Sequence, residues 1–505
     1  MRITATRLLF LAIVLGILAR AIAFFFLPET AFTDALHHLV GARNIISSGA
    51  LLPSNDFTFY SVVSSPLYYL ITAGAFLFSA LPFEFPFLRL LPLIFSALLL
   101  LLSYLFLKRL FPEKWLWGFA FMASIPWLVI YGALNYQDVL AAVFVLLSLY
   151  FLLLFGKTSS RSYLLLLALS LFALAVSKAN AVVFLPFLVI FAFLEMHSKK
   201  FSWKHTAIFS LVLLLAAFFW LPLSAHNYQD VSESFAGRET GLALESFSGR
   251  LSELNPLSFT ALSHAYIYGF PPIDSFSSLG FSFADPWLLL ALFSLVVLPL
   301  TAAILFGAKK IFVGKDAFLK NCVYIAVIGL LFVVFITLTD PRSLGAIYTR
   351  YFIPAMPLLA VPFVAGVSAI KSDAFKKIVL ASLVLFALFS LAYVSFTSLY
   401  YNGIAEKHAP LYEFSKSLPK DSKVFALREG RAIAFYAGVN FDRNEEIIRE
   451  SEADFYSYLK SNGFSHVVKS CYRDDLSIEE LDEMEGKGLL LEIFSDQCSA
   501  VYEVK

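Results

Sequence analysis

Residues 8–27 read LLFLAIVLGILARAIAFFFL, and FTDALHH follows at 32–38. The first stretch is apolar over about 20 residues, the length that a helix needs to cross a bilayer. No small-residue cleavage site separates it from a soluble body, so we expect a retained helix rather than a cleaved signal. A carboxylate such as Asp34 at the rim of a membrane is costly unless it meets something cationic or reactive. Together the two stretches predict a membrane protein in which Asp34 has a functional role.

The composition supports this class of protein. Of the 505 residues, 59% are hydrophobic and 15% are charged, with a mean hydropathy of +0.77. Soluble domains carry roughly 25% charged residues, so this balance argues against a soluble enzyme. Residues 398–505 hold 13 Lys+Arg against 20 Asp+Glu, whereas the remainder of the chain is net basic. Such asymmetry is typical of segments on opposite sides of a bilayer.

Apolar runs of spanning length recur up to residue 397 and predict about eleven crossings. They lie at 7–27, 88–107, 115–134, 138–155, 162–177, 179–195, 206–223, 287–307, 321–339, 351–370 and 378–397. Basic residues such as Lys108 and Arg109 fill every second loop between these runs. Since positive loops stay in the cytoplasm, the pattern predicts a multi-pass protein of the cell membrane. Its N-terminus is predicted to be cytoplasmic and its C-terminal part extracytoplasmic.

Two long outer loops are predicted, at about 28–86 and 224–286. In the first loop, Leu36, Val40 and Ile45 recur at helical spacing and predict an amphipathic helix over 34–48. Residues 67–81 are apolar but short, and counting them as a crossing would invert every later loop. We therefore predict a re-entrant or interfacial helix there, on the outer face.

The polar tail, 399–505, is predicted to be a small α/β domain beyond the transmembrane module, 1–398. We expect strands at 422–426, 465–469 and 489–494, and helices at 409–418, 453–461 and 478–485. The predicted fold class is therefore a polytopic α-helical membrane protein with extracytoplasmic juxtamembrane helices and a small C-terminal α/β domain. In the tail, Cys471 and Cys498 either pair in an oxidising space or stay reduced in its core.

Several motifs follow one another along the first two-thirds of the chain. They are TDALHHLVGA at 33–42, SPLYYL at 65–70, Arg89, Lys108-Arg109, Asp138, AVSKAN at 175–180 and RYFIPAMP at 350–357. Their order and sidedness resemble the GT-C superfamily of polyprenyl-phosphate-sugar-dependent glycosyltransferases. The nearest likeness is to the glycosyltransferase family 39-like branch, with its protein O-mannosyltransferases and aminoarabinose transferases. The chain departs from that pattern at Ala35, where members commonly carry Glu after the Asp.

The resemblance implies an inverting transfer of a sugar from dolichyl- or undecaprenyl-phosphate to a protein, lipid or glycan acceptor on the outer face. It implies Asp34 as the general base, which must come within about 3 Å of the proton that it removes. The alternative for Asp34 is a helix N-cap, a position that favours Asp. His37 lies three residues further on, on the same helix face, and is an auxiliary candidate.

The other candidates are a second acid and four residues that suit the donor phosphate. Asp138 would shape the site or, alternatively, stabilise the start of a helix. Lys178 stands alone in an apolar context, where a phosphate contact competes with snorkelling to the interface. Arg350 and Tyr351 open a predicted helix at the position that the resemblance assigns to phosphate binding. Arg342 is the fourth candidate, with a surface ion pair as its alternative.

The sequence contains no evident Asp-x-Asp motif, Gly-rich phosphate loop or nucleotide-binding fold. We therefore predict no cofactor and no nucleic-acid partner, and we assign no metal-binding residue, although a divalent metal stays open. The alternative from another functional class is a polytopic transporter or lipid flippase, which has no support from inverted-repeat hydropathy. A catalytically inactive envelope scaffold is the third hypothesis.

Overall fold

The computed structural model describes residues 2–29, 33–48, 65–78, 85–198, seven positions between 206 and 214, 286–339, 349–426, 430–442, 452–470 and 478–505. The chain forms two compact units, each built from two stretches of sequence. The membrane unit comprises Met1–Phe25 and Val63–Thr397, and the tail unit comprises Phe26–Val62 and Ser398–Lys505. Part of the first predicted outer loop therefore belongs to the same unit as the tail.

Helices make up most of the described chain. In order they are α1 (Arg2–Phe26), α2 (Thr33–Ser48), α3 (Pro66–Phe78), α4 (Phe85–Leu110), α5 (Trp115–Ala123), α6 (Pro126–Ile130), α7 (Gln137–Thr158), α8 (Arg161–Ser177), α9 (Leu185–Ser198), α10 (Pro286–Val313), α11 (Ala317–Thr339), α12 (Ala360–Ala369), α13 (Asp373–Ser415), α14 (Gly430–Ala437), α15 (Glu452–Ser461) and α16 (Ile478–Gly486). Short 3-10 helices lie at Ala179–Phe184, Thr349–Phe352 and Met356–Leu359.

The described residues include five segments long and apolar enough to cross a membrane. They are Ala5–Phe26, Arg89–Leu110, Gln137–Thr158, Ala291–Val313 and Asp373–Ser415. Shorter apolar helices, among them α8 and α9, accompany these five. The predicted class, a multi-pass helical membrane protein, is thereby confirmed, whereas the count of eleven crossings stays a prediction. The predicted crossing at 206–223 lies largely outside the described residues.

Two of the predicted crossings are broken at prolines, and a third, 179–195, begins as a 3-10 helix before α9. The segment 115–134 is divided into α5 and α6, and Pro126 opens the second helix at the first-turn position that suits proline. The segment 351–370 contains Pro354 and Pro357, and its α-helix begins only at Ala360. Proline lacks the N–H that a continuous helix needs, so both breaks have a local cause that hydropathy does not register.

Two glycines bring α10 and α12 into backbone contact in the membrane unit. A Cβ atom at Gly366 would lie 1.8 Å from the carbonyl oxygen of Ala303, and one at Gly307 would lie 1.7 Å from that of Pro362. Any larger residue would force the helices apart. Close approach through small residues is a common way for helices to associate in a membrane, where burial of apolar surface gives no advantage over lipid.

The tail unit contains one mixed sheet of β1 (Lys423–Phe425), β2 (Asn440–Asp442), β3 (His466–Ser470), β4 (Leu490–Ser495) and β5 (Ser499–Val504). The strand order is β2-β1-β3-β5-β4, with β1 parallel to both neighbours and β5 antiparallel to both of its own. Phe425, Leu459 and Val467 lie in its buried core. The prediction of a small α/β domain is thereby confirmed. Cys498 is disulfide-bonded, buried Cys322 is free, and Cys471 lies outside the described residues.

Candidate active site

Two opposite charges from different helices form a buried ion pair in the membrane unit. The Lys178 ammonium group donates to Asp138 Oδ1, and the two residues are 3% and 1% exposed. An isolated charge at such burial carries a large desolvation penalty, which a hydrogen-bonded partner offsets in part. The sequence singled out both residues without predicting that they pair, because 40 residues separate them.

The two charges occupy helix ends that favour their signs. Asp138 is the second residue of α7, where unpaired N–H groups favour an anion, and Lys178 directly follows α8, where unpaired carbonyls favour a cation. Helices α7 and α8 pack against each other and are joined by two residues. Such a short connection makes an antiparallel hairpin, so the start of α7 and the end of α8 lie at the same end of the pair.

The 3-10 helix Thr349–Phe352 brings an arginine and a tyrosine to this ion pair. Lys178 Nζ lies 5.0 Å from the centre of the Tyr351 ring. Arg350 Cζ lies 5.5 Å from the centre of the same ring and 5.7 Å from that of Tyr136. Separations within about 6 Å are those of cation–π contacts. Four predicted residues thus lie together, whereas Arg342 falls outside the described residues.

Tyr136 is a member of this cluster that the sequence analysis missed. Its ring meets the ring of Tyr131 edge to face at 4.8 Å, and Tyr131 in turn lies 4.9 Å from Trp127. Tyr136 and Trp127 are 2% and 1% exposed, so this row of rings packs inside the membrane unit. The row gives the Arg350 guanidinium a defined aromatic face. A tyrosine before the start of a helix is too common to have indicated this role.

The cluster contains the groups that bind phosphate and similar oxyanions. A guanidinium group presents a planar fork of donors to phosphate, and an ammonium group adds a compact point charge. The Asp138 carboxylate accepts a hydrogen bond from the Lys178 ammonium group and holds it in one orientation. In the part of the chain that the structure describes, no group of three or more His, Cys, Asp or Glu residues could hold a metal ion.

The candidate base lies on α2, in the tail unit. The helix begins at Thr33, so Asp34 falls within its first turn, where the helix dipole favours a carboxylate. The side chain of Asp34 is outside the described residues. Ala35, the position at which the sequence departs from the Asp-Glu pattern, is fully buried. His37 is half-buried, and its ring lies 5.9 Å from that of His38.

Arg20 has a structural partner on a neighbouring helix. An arginine inside a membrane-spanning helix is costly unless its donors are satisfied. Arg20 Nη1 donates to the carbonyl oxygens of Gly16 and Ala123. Ala123 ends α5, where carbonyl groups lack helical partners, so the guanidinium group caps that helix. These two hydrogen bonds give the Arg20 guanidinium group a structural role between α1 and α5.

Comparison with known proteins finds relatives only through structure. No family model matches the chain, and no curated protein sequence matches it. ArnT from Cupriavidus metallidurans in the apo state is 12% identical, with a TM-score of 0.60 over 99% of this chain and 98% of ArnT. The same enzyme bound to undecaprenyl phosphate gives a TM-score of 0.55 at 12% identity, over 98% of this chain and 97% of ArnT.

A second enzyme has the same fold. The oligosaccharyltransferase of Archaeoglobus fulgidus, tethered to an acceptor peptide with an NVT sequon, is 13% identical. It matches with a TM-score of 0.53 over 92% of this chain and 69% of its own. ArnT binds undecaprenyl phosphate in one of these structures, and the oligosaccharyltransferase holds an acceptor peptide in another. The resemblance inferred from the motifs is confirmed for the fold: the chain shares the fold of ArnT and of this oligosaccharyltransferase.

Proposed function

We propose that this protein is a membrane glycosyltransferase whose donor is a sugar carried by a polyprenyl phosphate. The proposal depends on one observation. Lys178, Arg350 and Tyr351 lie close together beside the buried carboxylate of Asp138. Two cations held between helix ends and aromatic rings suit a phosphate whose negative charge grows as it leaves the sugar. The fold adds support, because ArnT binds undecaprenyl phosphate on the same fold.

In the proposed reaction, Arg350 and Lys178 bind the oxygens of the donor phosphate, with Tyr351 and, from its place in the sequence, Arg342 beside them. The bond between the sugar's anomeric carbon and the phosphate oxygen breaks, and its electron pair leaves with the polyprenyl phosphate. The acceptor's oxygen or nitrogen forms the new bond from the opposite face, so the configuration inverts. Asp34 takes the acceptor's proton, and His37 assists the base. Asp138 holds the Lys178 ammonium group in place through their ion pair.

We also propose an orientation of the chain in the membrane. We place the N-terminus in the cytoplasm and residues 399–505 outside it, with a protein, lipid or glycan acceptor on the outer face. The disulfide at Cys498 supports this orientation, because disulfides persist in oxidising spaces. The carrier is dolichyl or undecaprenyl phosphate, and the sugar a hexose or a pentose.

Proteoliposomes that contain the full chain would test the proposal. They are incubated with labelled polyprenyl phosphates carrying mannose, glucose or aminoarabinose, and with a membrane extract from the source cells as acceptor. The proposal predicts protein-dependent movement of label from the carrier to acceptor, with release of polyprenyl phosphate. Movement of the intact carrier between leaflets without release of phosphate would instead support the lipid flippase.

A further inference from the structure

Helix α2 is held by the C-terminal domain within the tail unit. It packs against α14, and five of its residues are at most 1% exposed: Ala35, Leu36, Leu39, Val40 and Ala42. A helix of 16 residues would be marginal in isolation, so this packing supplies much of its order.

A hydrogen bond from Arg43 joins α2 to the backbone of α14. Its Nη2 donates to the carbonyl oxygen of Ala434 at 2.8 Å, in the last turn of α14. The N–H of Gly438, which ends α14 with a φ of +74°, donates to the same oxygen at 3.0 Å. A cation at the C-terminal end of a helix is favoured by the helix dipole and by the unpaired carbonyls there.

The other end of α14 is fixed to the sheet. A Cβ atom at Gly430, where α14 begins, would lie 2.3 Å from the ring of Phe441 in β2, so the helix touches that strand directly. Strand β2 pairs with β1 in the five-stranded sheet. The connection from α2 to the sheet therefore runs through Arg43, the last turn of α14 and Phe441, without a flexible segment between them.

We propose that Arg43 is a positioning residue, through which the C-terminal domain sets the place of Asp34. This inference rests on the proposed function, since it matters only if Asp34 is the base. Asp34 precedes Arg43 by nine residues, or about 13 Å along the helix axis. A tilt of about 5° at Arg43 would therefore move the start of α2 by about 1 Å. A displacement of that size can lower a catalytic rate on the order of 100-fold.

The test compares Arg43→Ala and Arg43→Lys in the full-length protein. Lys423→Ala is the matched control, because Lys423 Nζ also donates to a backbone carbonyl of the tail, that of Asn462 at 3.1 Å, away from α2. Hydrogen exchange of α2 and turnover of the labelled polyprenyl-phosphate sugar that the parent uses are measured on each variant.

We expect Arg43→Ala to speed exchange in α2 and to lower kcat about tenfold or more, with less than about a threefold change in the donor KM. Arg43→Lys should recover at least about half of the lost kcat, because an ammonium group can reach the same carbonyl. Lys423→Ala should leave both readouts at parent values. If Arg43 had a purely structural role, Arg43→Ala would lower the yield of folded protein. The folded fraction would then keep the kcat and the donor KM of the parent.

Other outcomes overturn one inference or both. If Arg43→Ala speeds exchange but keeps the parent kcat, or leaves exchange unchanged, Arg43 does not position the base. If Asp34→Asn keeps full transfer while Arg43→Ala loosens α2, the proposed role of Asp34 is wrong and the anchoring of α2 stands without the catalytic consequence. If the parent transfers no sugar, both fall.

Discussion

Lys178 and Asp138 join the end of α8 to the start of α7 through one buried ion pair. The contact closes the open end of a two-helix hairpin, and it holds the cation that lies over the Tyr351 ring. The pair is thus a structural element and part of the candidate phosphate site. Its removal should affect stability as well as binding.

Removal of either charge should destabilise the membrane unit. Lys178→Met leaves Asp138 as an unpaired buried charge, for which we expect a loss of about 3–5 kcal/mol in the free energy of unfolding. The double variant Asp138→Asn/Lys178→Met removes both charges and should recover part of that loss. Reversible unfolding in mixed detergent and SDS micelles would measure the free energy of unfolding of the single and the double variant. Glu413→Gln, at the exposed pair with Lys416, is the control and should change stability by less than about 1 kcal/mol. A Lys178→Met variant as stable as the parent would contradict the pair.

Arg350 should contribute directly to the affinity for polyprenyl phosphate. Arg350→Met removes a charge-assisted contact, which is equivalent to about a tenfold or greater loss of affinity. Arg350→Lys keeps the charge but loses the planar guanidinium group that lies near the Tyr136 and Tyr351 rings, so we expect an intermediate affinity. Native mass spectrometry with polyprenyl phosphate in nanodiscs would measure the affinity of each variant. Arg109→Met, at the exposed end of α4, is the control. Equal affinities of Arg350→Met and the parent would count against the phosphate site.

Gly16 should tolerate no side chain. A Cβ atom there would lie 2.2 Å from the carbonyl oxygen of Ala123, the group to which Arg20 also donates. Gly16→Ala should push α1 away from α5 and cost about 1–3 kcal/mol of stability. Gly74→Ala is the matched control, because within the described part of the chain no atom outside its own stretch of α3 backbone lies within 4 Å of its added Cβ. It should stabilise the helix by up to about 1 kcal/mol. Equal effects of the two substitutions would contradict the close contact.

The tail unit should lose stability in mild acid. Burial lowers the pKa of His466 on β3 below its usual value of 6.5, and the nearby Glu503 carboxylate opposes this shift only in part. The unfolded chain therefore binds a proton more readily than the folded one. Stability is complete above the unfolded pKa and falls as the pH drops below it. Hydrogen exchange of β3 and β5 at pH 7.5 and 5.5, corrected for intrinsic rates, would measure the loss. His466→Gln should reduce the difference in protection between the two pH values. Stronger protection of the parent at pH 5.5 than at pH 7.5 would refute the prediction.

Periodicity was sufficient to predict the regular parts of the fold. Leu36 and Val40 recur at helical spacing, and the predicted helix at 34–48 is α2, in which both are buried. The strands predicted at 422–426 and 465–469 agree with β1 and β3 within a residue. Helix α14 and strands β2 and β5 were missed. Helix α14 and strand β2 are too short for their patterns to rise above that of a loop.

The candidate site was predicted residue by residue and not as an assembly. A lone Lys178 in an apolar run and Asp138 at a helix start are visible in the sequence, since charges are costly there. Their pairing depends on the hairpin of α7 and α8, and Arg350 arrives from a segment more than a hundred residues further along the chain. Contacts of that kind are tertiary, so spacing along the chain does not reveal them. Tyr136 and Arg43 were missed for the same reason.

The most direct measurement compares sugar transfer by the parent, Asp34→Asn and Asp373→Asn. Asp373 is an exposed acid in the first turn of α13, so it controls for the loss of a helix-start carboxylate. Loss of a general base lowers rates by about 100-fold or more, which is the drop we expect for Asp34→Asn, whereas Asp373→Asn should match the parent. Transfer by Asp34→Asn at the parent rate would contradict the assignment of the base.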